Sequence, residues 1–233
     1  MIKQTPEERS HAVQRMFDKI APRYDLMNRL MTFGMDVRLR KIVIQKTALP
    51  PNGAILDLAS GTGDLAHEAH RQFPGRKIFA ADFSMGMMQA GQKRPGPKLN
   101  FSAADALNIP FCDESFDAVV SGFLLRNVVD LDRALLEQWR ILKHGGIFVS
   151  LDTTRPGKNI LSPLIYFHTH KIIPFLGQLL SGDREAYVYL PTSTDHFLTA
   201  EELSSHLKKN AFQSVNFKRH MFGTVAIHWA FKG

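Results

Sequence analysis

The sequence predicts an α/β fold, in which a mostly parallel sheet is covered by helices on both faces. Two observations carry this prediction: short apolar runs alternate with helical stretches, and the composition is that of a packed globule. Of the 233 residues, 44% are hydrophobic and 22% are charged, which excludes a disordered chain and a collagen-like repeat. We expect residues 1–233 to form a single domain.

Five short apolar runs have the length and composition of buried strands. Stretches with helical spacing lie between these runs, and such an alternation is typical of a parallel sheet with helices on both faces. The predicted strands are 54–58, 77–81, 99–103, 116–121 and 147–151, and the predicted helices are 65–71, 85–93 and 131–142.

Both ends of the chain depart from this alternation. Two strand-like runs at 215–220 and 224–231 are separated by only three residues, which predicts an antiparallel hairpin. Residues 1–50 carry apolar side chains at roughly helical spacing, so we expect a helical cover over the mouth of the sheet. Residues 155–190 form a long insertion after the fifth strand, and a connection of this length is usually functional or helical.

Cysteine and charge content limit the classes of function. Cys112 is the only cysteine, which excludes an internal disulfide and predicts a reducing, cytoplasmic compartment. The net charge of +7 is spread along the chain without a basic run, so we expect no nucleic-acid partner. His168 and His170 are two positions apart, which on a helix directs them to different sides, so we expect no metal site.

A strand that runs into a glycine turn and then a helix carries the strongest local signal. Residues 61–63, Gly-Thr-Gly, begin a pattern that also fits dinucleotide-binding proteins, with Asp82 about twenty residues further on. Charge separates the two interpretations. Asp57 at the strand end and Asp64 at the helix N-terminus would repel a diphosphate but suit an ammonium and a sulfonium, which favours S-adenosylmethionine over NAD.

Acidic residues follow three successive predicted strands. Because open α/β sheets bind ligands at the C-terminal edge of the strands, Asp57, Asp82 and Asp105 are expected to lie around one ligand. Asp82 is placed to accept the ribose hydroxyls and Asp105 the adenine amino group, although each acid alone could equally be a helix N-cap. The predicted cofactor-binding residues are Asp57, Gly61, Thr62, Gly63, Asp82, Asp105 and Ala106.

Short motifs extend along nearly the whole chain. They are Arg-Tyr-Asp-Leu-Met-Asn at 23–28, the glycine turn, Leu-Asn-Ile-Pro-Phe at 107–111, Leu-Arg-Asn-Val at 125–128, Leu-Lys-His-Gly-Gly at 142–146 and Val-Ala-Ile-His at 225–228. With these motifs the chain resembles the class I S-adenosylmethionine methyltransferases, and more narrowly the ubiquinone/menaquinone biosynthesis C-methyltransferase family. The resemblance implies a Rossmann-like fold with a seven-stranded sheet, and methylation of a ring carbon of a demethylmenaquinol or a related polyprenyl quinol.

Two stretches on the presumed acceptor side depart from the family pattern. Asp152 begins Asp-Thr-Thr-Arg-Pro where family members usually have Glu-Phe-Ser-Lys-Pro, and residues 192–195 are Thr-Ser-Thr-Asp where Glu-Ser-Ile-Arg is common. Gly122 also stands where a serine is often found. These departures leave the quinone head group open, as well as whether Asp152 caps the following segment or orients the acceptor.

Methylation of a quinol carbon needs a base or a cation near the ring oxygen, because loss of the hydroxyl proton makes the ring nucleophilic. The predicted catalytic residues are Arg126 and Tyr24, with His228 as a third candidate. Each has a structural alternative: an ion pair of Arg126 with Asp130 or Asp117, packing of Tyr24 over the cofactor, and a hydrogen-bonded core histidine at position 228.

The apolar segment 160–180 bears on the acceptor and on the membrane. Prolines, histidines and Lys171 interrupt it, so it is too broken for a membrane span, but it could lie at the surface of a bilayer and admit a polyprenyl tail, with an ordinary cap helix as the alternative. We therefore expect contact with the inner face of the cytoplasmic membrane and leave a homodimer open. Another small-molecule methyltransferase, or a non-catalytic cofactor-binding subunit of a quinone-biosynthesis complex, stays an alternative function.

Overall fold

In residues 5–155, 162–181 and 184–233, which the computed structural model describes, seven strands form one sheet. The strands are β1 (Ala54–Leu58), β2 (Lys77–Asp82), β3 (Asn100–Ala103), β4 (Phe116–Gly122), β5 (Leu142–Thr153), β6 (Phe212–His220) and β7 (Val225–Lys232). Their order is β3-β2-β1-β4-β5-β7-β6, and β7 runs antiparallel to both of its neighbours. The sheet confirms the predicted fold class, including the C-terminal hairpin.

Helices cover both faces of this sheet. They are α1 (Pro6–Ile20), α2 (Tyr24–Met31), α3 (Met35–Thr47), α4 (Asp64–Gln72), α5 (Met85–Gln92), α6 (Leu131–Ile141), α7 (Ser162–Phe167), α8 (Ile173–Ser181), α9 (Arg184–Asp195) and α10 (Ala200–Lys209). Leu56, Val119 and Phe148 pack with α6 and α10 on one face, whereas Ala118 and Val149 pack with α3 and α4 on the other. Burial on both faces explains why the central strands are continuous apolar runs.

The N-terminal cover is helical, as predicted, and crosses the C-terminal edge of β2. A capping box formed by Thr5 and Glu8 starts α1, and Pro6 occupies its first turn. Gln14 of α1 donates a hydrogen bond to the Phe83 carbonyl at 2.8 Å. These contacts place α1 over the end of the sheet where a ligand would bind.

The predicted insertion at 155–190 contains α7, α8 and most of α9, while residues 156–161, including Lys158, lie outside the described residues. A π-helical stretch at His168–Ile172 joins α7 to α8. Pro174 lies just beyond this stretch and has no backbone N–H to donate, which accounts for the irregular hydrogen bonding there. Among the described residues, no helix is long and apolar enough to cross a bilayer.

Candidate active site at the C-terminal edge of the sheet

A cavity of about 830 Å³, its open mouth included, lies at the C-terminal edge of the central strands, beneath α1 and α2. This volume is in the range of small-molecule sites. Asp82 and Asp105 both line the cavity, and none of the described lining residues is a lysine, arginine or histidine. A cavity with two carboxylates and no cation suits a positively charged ligand and disfavours a diphosphate.

The glycine turn after β1 forms one wall of this cavity. Gly61 has a φ of +58° and Gly63 a φ of +85°, both in the left-handed region that glycine adopts readily. Only Gly61 lines the cavity, whereas a Cβ on Gly63 would come within 2.3 Å of Leu99. Gly61 therefore allows a close approach to a ligand, and Gly63 allows close packing of the turn on its neighbours.

Asp82, at the end of β2, joins the glycine turn to the start of α5. Its Oδ2 accepts a hydrogen bond from the Gly61 amide and its Oδ1 one from the Ser84 amide, both at 2.7 Å. Burial raises the pKa of Asp82, and the two amides oppose this shift. Because each carboxylate oxygen has a second acceptor position, Asp82 can still accept from two ribose hydroxyls.

Asp105 and Ala106 line the same cavity on the side of β3. The Asp105 side chain is half-buried, and its Oδ1 accepts a hydrogen bond from the Leu107 amide at 2.9 Å. A carboxylate held in this way faces the cavity with acceptor capacity to spare. The positions of Asp105 and Ala106 fit the predicted contacts with an adenine ring.

Asp57 lies behind the glycine turn and does not line the cavity. Its Oδ2 accepts a hydrogen bond from the Ala66 amide at 3.0 Å, while its buried Oδ1 has no hydrogen-bond partner among the described residues. Burial raises the pKa of Asp57 well above its usual value. A buried carboxylate oxygen without a partner requires a donor from a ligand or from water.

Asp64 requires a correction, because the sequence argument treated its carboxylate as free to face the ligand. It is instead paired with Arg94 at 2.8 Å and with Arg29 and Arg40 at 3.2 and 3.3 Å. Burial raises the pKa of Asp64, but these three charges outweigh burial and lower it overall. Neither Asp64 nor Thr62 lines the cavity. The arginines come from separate segments of the chain, so no local pattern predicts the cluster.

A second cavity, of about 900 Å³ with its open mouth, adjoins the first. Val128 and Val129 line both cavities, so the two cavities adjoin at these residues. No described lining residue of the second cavity is acidic. Its other lining residues are Arg9, Leu125, Arg126, Leu131, Tyr189, Thr192, Ser193, His196, Phe197, Leu198 and His206.

Arg126 lines the second cavity and is held by Asp152 of β5. Its Nη1 donates to Asp152 Oδ1 at 2.7 Å, and both side chains are buried. Asp152 Oδ2 also accepts from the Leu125 amide at 2.8 Å. The partners considered from the sequence were therefore wrong: Asp130 caps α6, and Asp117 accepts from other groups. Asp152 orients Arg126, whose Nε has no hydrogen-bond partner among the described residues.

Tyr24 lines the first cavity, so the structure does not bring the two predicted catalytic residues into one pocket. Its ring lies over the glycine turn, 3.8 Å from the position of a Cβ on Gly61. Burial raises the pKa of Tyr24, and the charges of Arg40 and Arg126 oppose this rise. Arg126 is thus close enough to act on Tyr24 electrostatically across the boundary between the cavities.

His228 lines neither cavity. It is buried in β7, where its Nε2 is 2.9 Å from the Ala200 carbonyl, and burial lowers its pKa. This geometry fits the alternative of a hydrogen-bonded core histidine and not a catalytic role. Among the described residues no cluster of histidine, cysteine or acidic side chains could hold a metal ion.

Sequence reasoning missed Asn127 and Tyr189. Asn127 lines the first cavity, and its Oδ1 accepts a hydrogen bond from the Tyr189 hydroxyl at 3.1 Å, which ties α9 to the boundary of the two cavities. Asn127 belongs to the same short motif as Arg126, so that motif could have indicated it. Tyr189 comes from the insertion, where no local pattern distinguishes it from packing residues.

Comparison with known proteins adds evidence on the whole chain. Residues 3–232 match the ubiE/COQ5 methyltransferase family. The ubiquinone/menaquinone biosynthesis C-methyltransferase UbiE of Desulfotalea psychrophila is 45% identical over 221 residues, which cover 94% of this chain and 90% of that protein. The demethylmenaquinone methyltransferase of Thermus thermophilus is 40% identical over 216 residues, which cover 91% and 98%.

Solved structures support the fold independently. A crystal structure described as an S-adenosylmethionine-dependent methyltransferase of Thermotoga maritima, a possible histamine N-methyltransferase, is similar with a TM-score of 0.67. It is 20% identical and the match covers 94% of this chain and 99% of that one. The [4+2]-cyclase SpnF is similar at a TM-score of 0.68, with 19% identity and 96% coverage of both chains. Because a cyclase shares the fold, the fold alone does not specify the reaction.

Proposed function

The chain belongs to the ubiE/COQ5 methyltransferase family, and from this we propose that it is an S-adenosylmethionine-dependent C-methyltransferase of menaquinone or ubiquinone biosynthesis. Its acceptor is a ring carbon of a demethylmenaquinol or a related polyprenyl quinol. The family match confirms the resemblance predicted from the sequence motifs. The observation that carries the donor assignment is the first cavity, which has two lining carboxylates and no lining cation among the described residues.

The residues of the first cavity fit S-adenosylmethionine, which supplies an electrophilic methyl group on a sulfonium. Asp82 would accept from the ribose hydroxyls, and Asp105 and Ala106 would bind the adenine ring. The unpartnered Oδ1 of Asp57 would accept from the ammonium group. Thr62 and Gly63 shape the turn without lining the cavity.

Arg126 is proposed to stabilise the acceptor. In the second cavity its guanidinium, oriented by Asp152, would face the ring oxygen and stabilise negative charge on it. The cavity has no lining carboxylate to compete for that charge among the described residues. Thr192 and Ser193, which replace part of the usual family pattern, line the same cavity and are proposed to contact the quinone head group.

Tyr24 is proposed to contact the reacting groups from the side of the donor. Its raised pKa keeps the phenol protonated at neutral pH, so its hydroxyl would donate a hydrogen bond to the ring oxygen and not remove its proton. Methyl transfer requires alignment of the two reactants and exclusion of water. Tyr24 and residues of α1 line the cavity and would help to exclude water from it when both reactants are bound.

We further propose that the protein contacts the inner face of the cytoplasmic membrane through one exposed apolar surface, because a polyprenyl quinol resides in the bilayer. Phe33, at the end of α2, is 81% exposed and stacks on His168 of the insertion. No acidic residue occurs between Ser162 and Ser181, and Lys171 there is exposed. The apolar surface consists of Leu26, Leu30, Phe33, Leu164, Tyr166, Phe167, Ile172, Phe175 and Leu179.

The charge of this surface suits anionic lipid headgroups, which attract nearby lysines and arginines. Arg23, also exposed, lies at the junction of the cover and α8, where its guanidinium contacts the Leu180 carbonyl. The apolar surface therefore includes residues of both the N-terminal cover and the insertion, which contact each other through Phe33 and Arg23.

Methylation of quinols by the purified protein tests this function. The protein is incubated with methyl-labelled S-adenosylmethionine and a reduced demethylmenaquinone in mixed micelles, and the product is analysed by mass spectrometry. We expect label on a ring carbon. Label on oxygen, or on another small molecule only, would support a different methyltransferase, and donor binding without turnover on any quinol would support a non-catalytic subunit.

A further inference from the structure

We propose that Asp25 is a positioning residue that fixes Tyr24 over the glycine turn through Thr62 and Arg94. This inference rests on the proposed function, because Tyr24 matters only if its ring contacts the reacting groups. The four residues come from three segments: the start of α2, the glycine turn, and the loop between α5 and β3. The position of Tyr24 over the glycine turn therefore depends on contacts between all three segments.

The contacts of Asp25 join these segments directly. Thr62 Oγ1 donates a hydrogen bond to Asp25 Oδ1 at 2.6 Å, and Arg94 Nη1 lies 3.2 Å from Asp25 Oδ2. The same Arg94 nitrogen donates to the Thr62 carbonyl at 3.2 Å. Asp25 is therefore bound at both oxygens, once to the turn and once to the arginine that also holds the turn.

The glycine turn is a firm support for this attachment. A Cβ on Gly91 of α5 would come within 2.9 Å of the Thr62 carbonyl, so the helix backbone packs directly against the turn. Thr62 stands between Gly61, which lines the first cavity, and Gly63, which is the N-cap of α4. A side chain bound to Thr62 is thus fixed relative to the wall of the cavity.

Asp25 and Tyr24 are consecutive residues in the first turn of α2, so a shift of one backbone position moves the other. Tyr24 lines the cavity, and Asp25 is hydrogen-bonded to Thr62 of the glycine turn. The far end of α2 has its own attachment, since Arg29 pairs with Asp36 and Asp64. Loss of the Asp25 contacts should therefore release the Tyr24 end of α2 and leave the rest of the cover in place.

A double-mutant cycle tests the proposal, with kcat on a quinol, donor Kd by calorimetry and hydrogen exchange of α2 as readouts. The variants are Asp25→Ala, Asp25→Asn, Tyr24→Phe and the combination of Asp25→Ala with Tyr24→Phe. We expect Asp25→Ala to lower kcat about tenfold, since small displacements of a contacting group have large effects on rate, with a change in donor Kd below about threefold. Asp25→Asn, which keeps an acceptor for Thr62, should restore part of the loss.

The cycle separates positioning from general support of the fold. In the Tyr24→Phe background, Asp25→Ala should lower kcat less than about twofold, because the group that it positions is already gone. Exchange of the α2 amides should be faster in Asp25→Ala than in the wild type. The matched control is Glu68→Gln, which removes a carboxylate from the Glu68–Arg71 pair on α4 and should change none of these readouts.

Two failures are distinguishable. If Tyr24→Phe lowers kcat but Asp25→Ala lowers it equally in both backgrounds, or weakens donor binding as much as kcat, Asp25 is a structural residue and the inference is wrong. If Tyr24→Phe retains the wild-type kcat, the proposed role of Tyr24 is wrong and the positioning role of Asp25 falls with it. If the wild type methylates no quinol, the proposed function of the protein is wrong.

Discussion

The proposed donor half of the molecule, around the first cavity, and the proposed acceptor half, around the second cavity, are built on different principles. Around the first cavity, short contiguous stretches at strand ends supply Asp57, Asp82 and Asp105, and backbone amides bind each of these carboxylates. Around the second cavity, Arg126 is bound by a residue 26 positions away, and the insertion contributes an exposed apolar surface. The donor site is thus defined by local hydrogen bonding, and the acceptor site by tertiary contacts and apolar area.

This difference suggests that the acceptor half, and not the shared fold of the donor half, specifies which acceptor is methylated. The proposed donor half consists of a strand, a turn and a few acidic residues. Two solved structures at 20% and 19% identity share this fold with the chain. The acceptor half contains the residues that depart from the family pattern, such as Asp152 and Thr192. Substitutions in the two halves should therefore have separable effects on donor binding and on turnover.

The largest effect is expected for Asp82→Ala in the donor half. Loss of two hydrogen bonds to a charged acceptor should weaken donor binding about 100-fold, or about 3 kcal/mol. Asp82→Asn keeps the shape and one acceptor oxygen and should weaken binding less. Isothermal titration calorimetry measures both, and an unchanged Kd in Asp82→Ala would place the donor elsewhere.

Substitution of Arg126 should act on turnover and spare donor binding. Arg126→Lys keeps the positive charge, so Asp152 is not left unpaired, but it loses the planar guanidinium. We expect kcat on a quinol to fall about thirtyfold, or about 2 kcal/mol, with a donor Kd within about twofold of the wild type. Equal losses in kcat and in donor affinity would show that Arg126 also supports donor binding, and would contradict the proposed separation of donor and acceptor sites.

Substitutions on the apolar surface should change neither kcat nor donor Kd in micelles, but they should weaken binding of the protein to vesicles. Combined substitution of Leu164→Ser and Leu179→Ser is expected to weaken binding to vesicles with about 30% anionic lipid roughly tenfold, through lost apolar burial. Leu136→Ser on α6, an exposed leucine outside the apolar surface, is the matched control. Wild-type binding should fall as salt is added, and binding that the two substitutions do not alter would remove the membrane proposal.

The smallest effect concerns the core of the sheet, away from both cavities. His228 has a lowered pKa, so the unfolded chain takes up its proton first as the pH falls below about 6.5. Stability should therefore decrease toward acid pH, with His228 contributing at most about 1.4 kcal/mol per pH unit. His228→Gln keeps a hydrogen-bond donor for the Ala200 carbonyl and cannot titrate.

Urea unfolding between pH 5 and 8 measures this contribution as the difference between the wild type and His228→Gln. A flatter profile in the variant, with kcat unchanged, fits a structural histidine. Identical profiles would show that position 228 is not the source, and a large loss of kcat would restore His228 as a catalytic candidate.

The fold and several residues of the first cavity were predictable from the sequence because their signals are local. Alternation of apolar runs predicted the order of strands and helices, and acids at strand ends predicted Asp82 and Asp105 as cavity residues. The cavity does contain two carboxylates, but they belong to Asp82 and Asp105, whereas Asp57 and Asp64, the two acids used to predict a positively charged ligand, do not line it. Three arginines from separate segments neutralise the Asp64 carboxylate, and no spacing in the sequence brings them together.

The acceptor half was less predictable for the same physical reason. The sequence indicated Arg126 but offered Asp130 and Asp117 as partners, which lie four and nine positions from Arg126. The true partner, Asp152, lies opposite in the sheet, at the end of the neighbouring strand β5. The contribution of Phe33 to the apolar surface was missed as well, since its stacking on His168 joins segments 135 positions apart.

The strand order has a consequence for how the protein is made. β7 is the last of the seven strands to be synthesised, yet it lies between β5 and β6 in the interior of the sheet. Until the ribosome has added Val225–Lys232, β5 presents an unpaired edge of apolar residues to the solvent, and such edges promote association between nascent chains. Chaperone binding is therefore expected mainly in the final stage of translation, when six strands have been synthesised but β7 is not yet available to pair with β5 and β6.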